Sequence, residues 1–198
     1  MPRVSEKYLE SRKNKIAKSA INVFAKKGYT NTSMKDIMKE ANVSRGGLYA
    51  YFENIDAVFI AALKYDDAVQ AQGLLRTDVR ENFFTQLNDW IYEMVASITE
   101  EETNLVRAKS EFFLSHNIEE VPYLRQRHQK LSQNIQQFIQ LGIKSGEFKE
   151  QIDLNAFSEL LISMIDGLML HRYYQSTSDA DSSAILQQMN EMLQNSLT

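Results

Sequence analysis

The residues with the clearest chemical potential lie between Ser33 and Phe52, in the run S-M-K-D-I-M-K-E-A-N-V-S-R-G-G-L-Y-A-Y-F. Ser33 and Ser44 are of the type that closes a helix N-terminus, their hydroxyls accepting from first-turn backbone N–H groups. Asp36, three residues after Ser33, completes a capping-box-like pattern. Arg45, Gly46 and Gly47 then open a second helix. Glycine inside a helix costs about 1 kcal/mol relative to alanine. Two of them beside a cation therefore argue for close approach of the backbone to something outside the fold. Helix starts also present unpaired N–H groups and a positive dipole end, which attract anions. The chemistry on offer is recognition.

Two short helices must hold these groups. Ile37 and Ala41 fall one turn apart, giving the first an inward face, and Leu48 and Phe52 do the same for the second. Asn42 stands where the first helix has to stop, and Asn tolerates the positive φ of a sharp reversal. Val43 drops toward the core, while Arg45, Gly46 and Tyr49 are left on other faces. Spacing and capping together predict a helix-turn-helix. A helix before it carries Ile16, Ala20, Val23 and Phe24 at i, i+4, i+7 and i+8, the stripe of an amphipathic helix. Its other face bears Arg12, Lys13, Lys15, Lys18, Lys26 and Lys27, and Gly28 stands at the position of a helix stop.

Charge supports a polyanionic partner. The chain of 198 residues has a net charge of −4, yet residues 1–63 hold 11 Lys and Arg against 6 Asp and Glu, and residues 64–198 hold 11 against 20. A basic head on an acidic body directs the head, not the body, to the polyanion. The absence of cysteine excludes disulfides, thiolate metal sites and cysteine nucleophiles and fits a cytoplasmic chain. The three histidines, His116, His128 and His171, follow no metal-binding spacing. No Gly-rich phosphate loop and no G-x-S-x-G elbow occurs, so no enzyme is expected. Residues 1–20 lack an apolar signal region, and the apolar run from Leu160 to Leu170, broken by Ser163, Asp166 and Gly167, is too short to span a bilayer.

Helical periodicity continues to the end of the sequence, with only 7 Gly and 2 Pro, and predicts an all-α chain of nine helices in two parts. A three-helix head occupies residues 1–55 and a body residues 56–198. The fourth helix begins near Asp56, with Val58, Phe59, Ala62 and Leu63 inward, and is expected to run to about Leu75. Asp78 with Glu81 is a second capping-box-like start, and a polar break covers Glu100 to Glu102. Pro122 opens the seventh helix and Gly146 closes it. Asp153 caps the eighth, and Ser176 to Ser183 form a loop before the ninth. The eighth helix is apolar on more than one face, which suits a helix shared between two subunits. Leu161, Ile165 and Leu168 on it, with Ile185, Met189 and Met192 on the ninth, are the candidate dimer interface. Trp90, Met94, Phe112, Phe113, Tyr123 and Met164 are the aromatic and soft side chains for a cavity that holds a hydrophobic or amphipathic small molecule.

The segment from Gly28 to Asn54 resembles the N-terminal domain of TetR-type (tetracycline repressor-like) transcriptional regulators. The likeness covers residues 9–69, and its specific elements are T-S-M at the second helix and V-S-x-G-x-L-Y-x-Y-F through the third. Weaker echoes, G-I-K-S-G-E-F and D-G-L-M-L, occur in the body. The resemblance implies a homodimer that binds a pseudo-palindromic DNA operator, with an effector pocket in the body controlling affinity and no cofactor besides that non-covalent effector. By position, it implies that Ser44, Arg45, Gly46 and Tyr49 face bases and adjoining phosphates, with Gly47 beside them. Ser33, Met34 and Lys35 would sit against the DNA backbone, and Tyr51 would donate to a phosphate. An arginine on the first turn of such a helix can pair bidentately with guanine, worth about 1–3 kcal/mol of discrimination. Two positions depart from the family pattern: Asn42 replaces a frequent Gly, and Ile55 replaces a frequent Lys that touches phosphate. Arg12, Lys13 and Lys15 are the sequence's alternatives for that contact. The rival expectation is a helical sensor whose head is degenerate or sequence-nonspecific.

Overall fold

The computed structural model describes residues 6–70, 78, 80–99, 104–117, 119–174 and 182–198. Among these residues there are nine helices and no strand: α1 (Glu6–Lys27), α2 (Met34–Glu40), α3 (Arg45–Tyr49), α4 (Ile55–Gln70), α5 (Phe83–Thr99), α6 (Val106–Ser115), α7 (Pro122–Lys144), α8 (Leu154–Tyr174) and α9 (Ser182–Leu197). The all-α fold and the helix order match expectation. The extension of α4 to Leu75, the break at Glu100 to Glu102 and the part of the loop from Ser176 to residue 181 lie outside the described residues. Ser182 and Ser183 belong to α9.

The chain divides into two compact units, Met1–Ala71 with Glu100–Asn117, and Gln72–Thr99 with Ile118–Thr198. A boundary at residue 55 would put α4 and α6 with the body, whereas both pack with the helix-turn-helix. The reason is core area: three short helices cannot bury enough apolar surface by themselves. Val58, Phe59, Ala62 and Leu63 of α4 are completely buried, as are Phe24 of α1, Ile37 of α2, Leu48 of α3 and Phe112 of α6. Their rings form one cluster, with centroids 4.9 Å apart for Phe24 and Phe59 and 4.6 Å for Phe59 and Phe112. Tyr29 closes it, 4.9 Å from Phe112 and edge-on.

Polar ties fix α6 in this unit. Lys109 Nζ donates to Asp66 Oδ2 of α4 at 2.7 Å. Glu111 Oε2 accepts from both the backbone N–H and the hydroxyl of Thr30, at 2.8 and 2.9 Å, and Arg107 Nε donates to its other oxygen at 2.8 Å. Burial pushes the Glu111 carboxyl up, but these donors outweigh it and hold it below its ordinary value. Gly28 is required beneath the tie. It has φ +75°, and a Cβ there would lie 2.6 Å from Glu111 Oε2 and 2.8 Å from Arg107 Nε.

The second unit is built on Leu87 and Ile91 of α5, Ile135 and Ile139 of α7, Leu161 and Ile165 of α8, and Leu186, Met189, Leu193 and Leu197 of α9. Helix α5 starts at Phe83, not at the Asp78 and Glu81 pair. Asn82 Oδ1 accepts from Thr85 N at 2.8 Å. The Glu147 carboxylate then takes the Phe83 and Phe84 N–H groups at 2.8 and 2.7 Å, placing a negative charge at the positive end of α5. Asp78 instead pairs with Arg80 at 2.8 Å. Pro122 occupies the first turn of α7 and Asp153 caps α8 through Ala156 N at 3.0 Å. Gly146 ends α7 with φ +81°.

Candidate nucleic-acid interface

Local hydrogen bonds build the recognition segment as its sequence dictates. Ser33 and Asp36 form a reciprocal capping box at the start of α2: Ser33 Oγ accepts from Asp36 N at 3.3 Å, and Asp36 Oδ2 accepts from Ser33 N at 3.0 Å. Lys27 Nζ donates to the same carboxylate at 2.6 Å. The hydrogen bond from Lys27, and then those from Ser33, lower Asp36 from its ordinary 3.8 to about 2. Helix α2 stops at Ala41, and Asn42 makes the reversal with φ 51°. Ser44 caps α3 by accepting from Gly47 N at 3.1 Å. Leu48 is fully buried and Phe52 nearly so, which leaves the opposite side of α3 to solvent.

On that side Ser44, Arg45, Gly46 and Tyr49 are all exposed. The Arg45 guanidinium carbon lies 5.6 Å from the centre of the Tyr49 ring, a cation–π distance that holds the charge over an exposed aromatic. The two glycines differ. A Cβ on Gly46 would meet nothing within 4 Å, whereas one on Gly47 would lie 3.2 Å from Ser44 Oγ. Gly47 thus serves the cap, and only Gly46 is bare toward solvent. Lys35 and Ser33 are exposed, and Met34 and Tyr51 are half-buried. The Ser33 hydroxyl proton is committed to Asp36 Oδ2 at 2.7 Å.

Behind the motif lies a set of contacts the sequence did not reveal. Asn54 Oδ1 caps α4 by accepting from Ala57 N at 2.9 Å, directly beside Ile55. The Tyr29 hydroxyl donates to Asp56 of α4 in a short hydrogen bond; burial, then that bond, raises the phenol's pKa. His116 Nε2 stands 3.7 Å from the other Asp56 oxygen, and its ring stacks on Phe112 at 4.0 Å. The Asn54 cap was readable from its type and spacing; Asp56 and Glu111 have partners far away in sequence.

The other candidate sets are divided by the fold. Phe112 is wholly buried in the first unit's aromatic cluster, so it does not line a cavity of the body; Phe113 is half-buried on the same helix. Trp90, Met94 and Met164 flank the second unit's core, and Tyr123 is half-buried on α7. Of the interface residues, Leu161, Ile165 and Met189 are buried in the chain's own core. An apolar helix satisfies its own unit first, and these three sit on that face. Leu168 is half-buried beside it. Ile185 and Met192 are exposed, the latter by 52%, and Leu160, outside the predicted set, is exposed by 56%.

Two capped helices around a positive-φ turn, with a bare glycine and a cation on the outer face, define a helix-turn-helix protein of the DNA-binding class. The comparisons narrow the class. Residues 16–62 match the signature of "Bacterial regulatory proteins, tetR family", and residues 86–182 match "Tetracyclin repressor-like, C-terminal domain". The chain belongs to the TetR family and is a DNA-binding transcriptional regulator. It is 24% identical over 186 residues to the HTH-type transcriptional regulator YfiR of Bacillus subtilis, covering 93% of this chain and 91% of that one. It is 25% identical over 162 residues to the Bacillus subtilis fatty acid metabolism regulator protein, covering 76% and 78%. In fold it is similar to Escherichia coli NemR in reduced form, with TM-score 0.75 and 13% identity over 95% of this chain and 98% of that one.

Proposed function

We propose that the protein is a cytoplasmic, non-enzymatic repressor that binds a pseudo-palindromic operator as a homodimer and is released by a small hydrophobic or amphipathic molecule. The observation that carries this reading is the outer side of α3, where Arg45 is poised over Tyr49 beside the unobstructed Gly46. Arg45 reads a guanine, and Gly46 lets the backbone approach the groove. The Ser44 hydroxyl, accepting from Gly47 N, keeps its proton for a phosphate oxygen. Gly47 holds that cap in shape. Lys35, Ser33 and Met34 at the start of α2, with Tyr49 and Tyr51, contact the DNA backbone.

Dimerisation uses the outward residues of the last two helices, Leu160, Ile185 and Met192, with Leu168 at their edge. A palindrome read in successive major grooves sets the two recognition helices about 34–36 Å apart. Effector binding shifts the population toward dimers with a different separation. Trp90, Met94, Tyr123 and Met164 supply the apolar lining for the effector. An amphipathic effector also agrees with the similarity to a fatty acid metabolism regulator.

Selection of bound duplexes from random DNA tests the reading. It should enrich a two-fold symmetric site with half-sites about 10 base pairs apart, bound with a Kd of about 10⁻⁸–10⁻¹¹ M. Enrichment of no sequence would favour the helical sensor with a nonspecific head.

A further inference from the structure

The start of α4 follows the recognition helix closely. Residues 50–54 join Tyr49 to Ile55, and Phe52 among them is buried. What fixes the first turn of α4 thus bears on the placement of α3. Besides the Asn54 cap, the Asp56 carboxylate holds that turn. One of its oxygens takes the Tyr29 hydroxyl, and the other faces His116 Nε2 at 3.7 Å. His116 ends α6, two residues before the chain leaves the first unit at Ile118. The contact ties that exit to the helix that follows α3.

The hydrogen bonds of His116 decide which state of its ring suits this contact. Nδ1 lies 3.0 Å from the Phe112 carbonyl and 3.0 Å from Ser115 Oγ. The carbonyl can only accept, and the Ser115 hydroxyl gives its proton to the Glu111 carbonyl at 2.7 Å. Nδ1 therefore carries the hydrogen of the neutral ring, which turns the Nε2 lone pair toward Asp56. A lone pair against a carboxylate is no tie, and 3.7 Å is longer than a hydrogen bond. A proton on Nε2 converts the same contact into a charge-assisted one.

Among the described residues, the titratable and charged groups brought to this contact come from three elements. Asp56 belongs to α4. Tyr29, after α1, spends its hydroxyl on Asp56 and meets the imidazole edge-on at 5.6 Å. On α6 itself, Glu111 binds Thr30 and Arg107. Stacking on Phe112 at 4.0 Å fixes the plane of the imidazole.

We propose that His116 is a proton-dependent positioning residue: taking a proton at Nε2, it clamps Asp56, stiffens the start of α4 and raises operator affinity. The inference rests on the reading of the chain as a DNA-binding protein. A recognition helix held in place beforehand loses less freedom on binding. A free imidazole titrates near pH 6.5, so the gain should be present in mild acid and fade as pH rises past neutrality.

The test uses the full chain and its selected operator, titrated from about pH 8 to about pH 5.5 at constant salt. His116→Phe keeps the stack and cannot take a proton. Wild-type affinity should rise about threefold to fivefold more than that of this variant, the size of a partly exposed ion pair. Asp56→Asn keeps an acceptor for Tyr29 and should show the same flattened profile, with no further change in the double variant. His128 and His171 are intact in all of these chains, so proton uptake there cancels. Long-range nitrogen–proton NMR of the imidazole reads the ring without DNA: hydrogen on Nδ1 alone at about pH 8, and on both nitrogens in mild acid. Parallel wild-type and His116→Phe profiles would overturn the proposal. So would a neutral ring with its hydrogen on Nε2, or a profile flattened in His116→Phe but not in Asp56→Asn. A wild-type protein that does not discriminate between selected and random duplexes would instead remove the DNA-binding reading itself, and the proposal with it.

Discussion

Arg45 and Gly46 are neighbours whose substitutions should report on different things. Arg45→Ala is expected to cost about 1–3 kcal/mol at one operator position and relax selectivity there. Lys35→Ala should weaken all duplexes alike, as a phosphate contact does. Competition titrations against single-base operator variants separate the two. Gly46→Ala meets no atom within 4 Å, so the fold should hold or gain up to about 1 kcal/mol while operator affinity falls. Gly28→Ala should do the reverse: its φ of +75° and the crowding by Glu111 and Arg107 should cost about 1–3 kcal/mol of stability. Asp36 gives a pH signature. Its carboxyl is lowered from 3.8 to about 2 in the folded chain, so its contribution is complete above about pH 5 and lost as pH falls through about 2. With screening at this largely hydrated site, that contribution is on the order of 1 kcal/mol. The stability gap between wild type and Asp36→Asn, followed by denaturant melts, should close over that window. The Ser33, Ser44 and Asp153 caps, the Asn42 turn and the glycine stops were legible in the sequence because each partner lies within four residues, whereas the Asn82 cap of α5 was missed in favour of Asp78 and Glu81. Glu111 with Thr30 and Tyr29 with Asp56 were not, since 81 and 27 residues separate them.

Helix α8 illustrates what periodicity leaves open. Its apolar residues surround more than one face, so spacing alone does not say which of them serve the chain's own core. Leu161 is completely buried and Leu160 is 56% exposed. Leu161→Ala should therefore destabilise the protein by about 2–5 kcal/mol. Leu160→Ser should leave the melting of the individual chain nearly unchanged and act on association. Helix α6 makes the same point about assignment. Phe112 reads as a soft aromatic for a cavity, but four rings and Glu111's grip on Thr30 commit it to the core behind the helix-turn-helix. Helix number, type and order could be read because strong 3.6-residue patterns and caps agree. The partner of each helix could not, because packing between distant segments leaves no periodic trace.

For the molecule as a whole, the exposed Leu160, Ile185 and Met192 predict an oligomer. Leu160→Glu with Met192→Glu should convert the dimer to a monomer in sedimentation analysis and retain helical circular dichroism. The same variant should lose the avidity of a two-half-site operator, which is set by effective concentration. The basic head and acidic body were legible from residue counts, and the division of helices between them was not. Core demand carries α4 and α6 into the first unit, where Phe59, Leu63 and Phe112 complete what three short helices leave open. The central claim, sequence-specific operator binding through α3, is tested most directly by the ratio of Kd values for a random and a selected duplex at 0.15 M salt. A ratio of about 10³ or more is predicted, collapsing at one base pair in Arg45→Ala. A ratio near one would contradict the account.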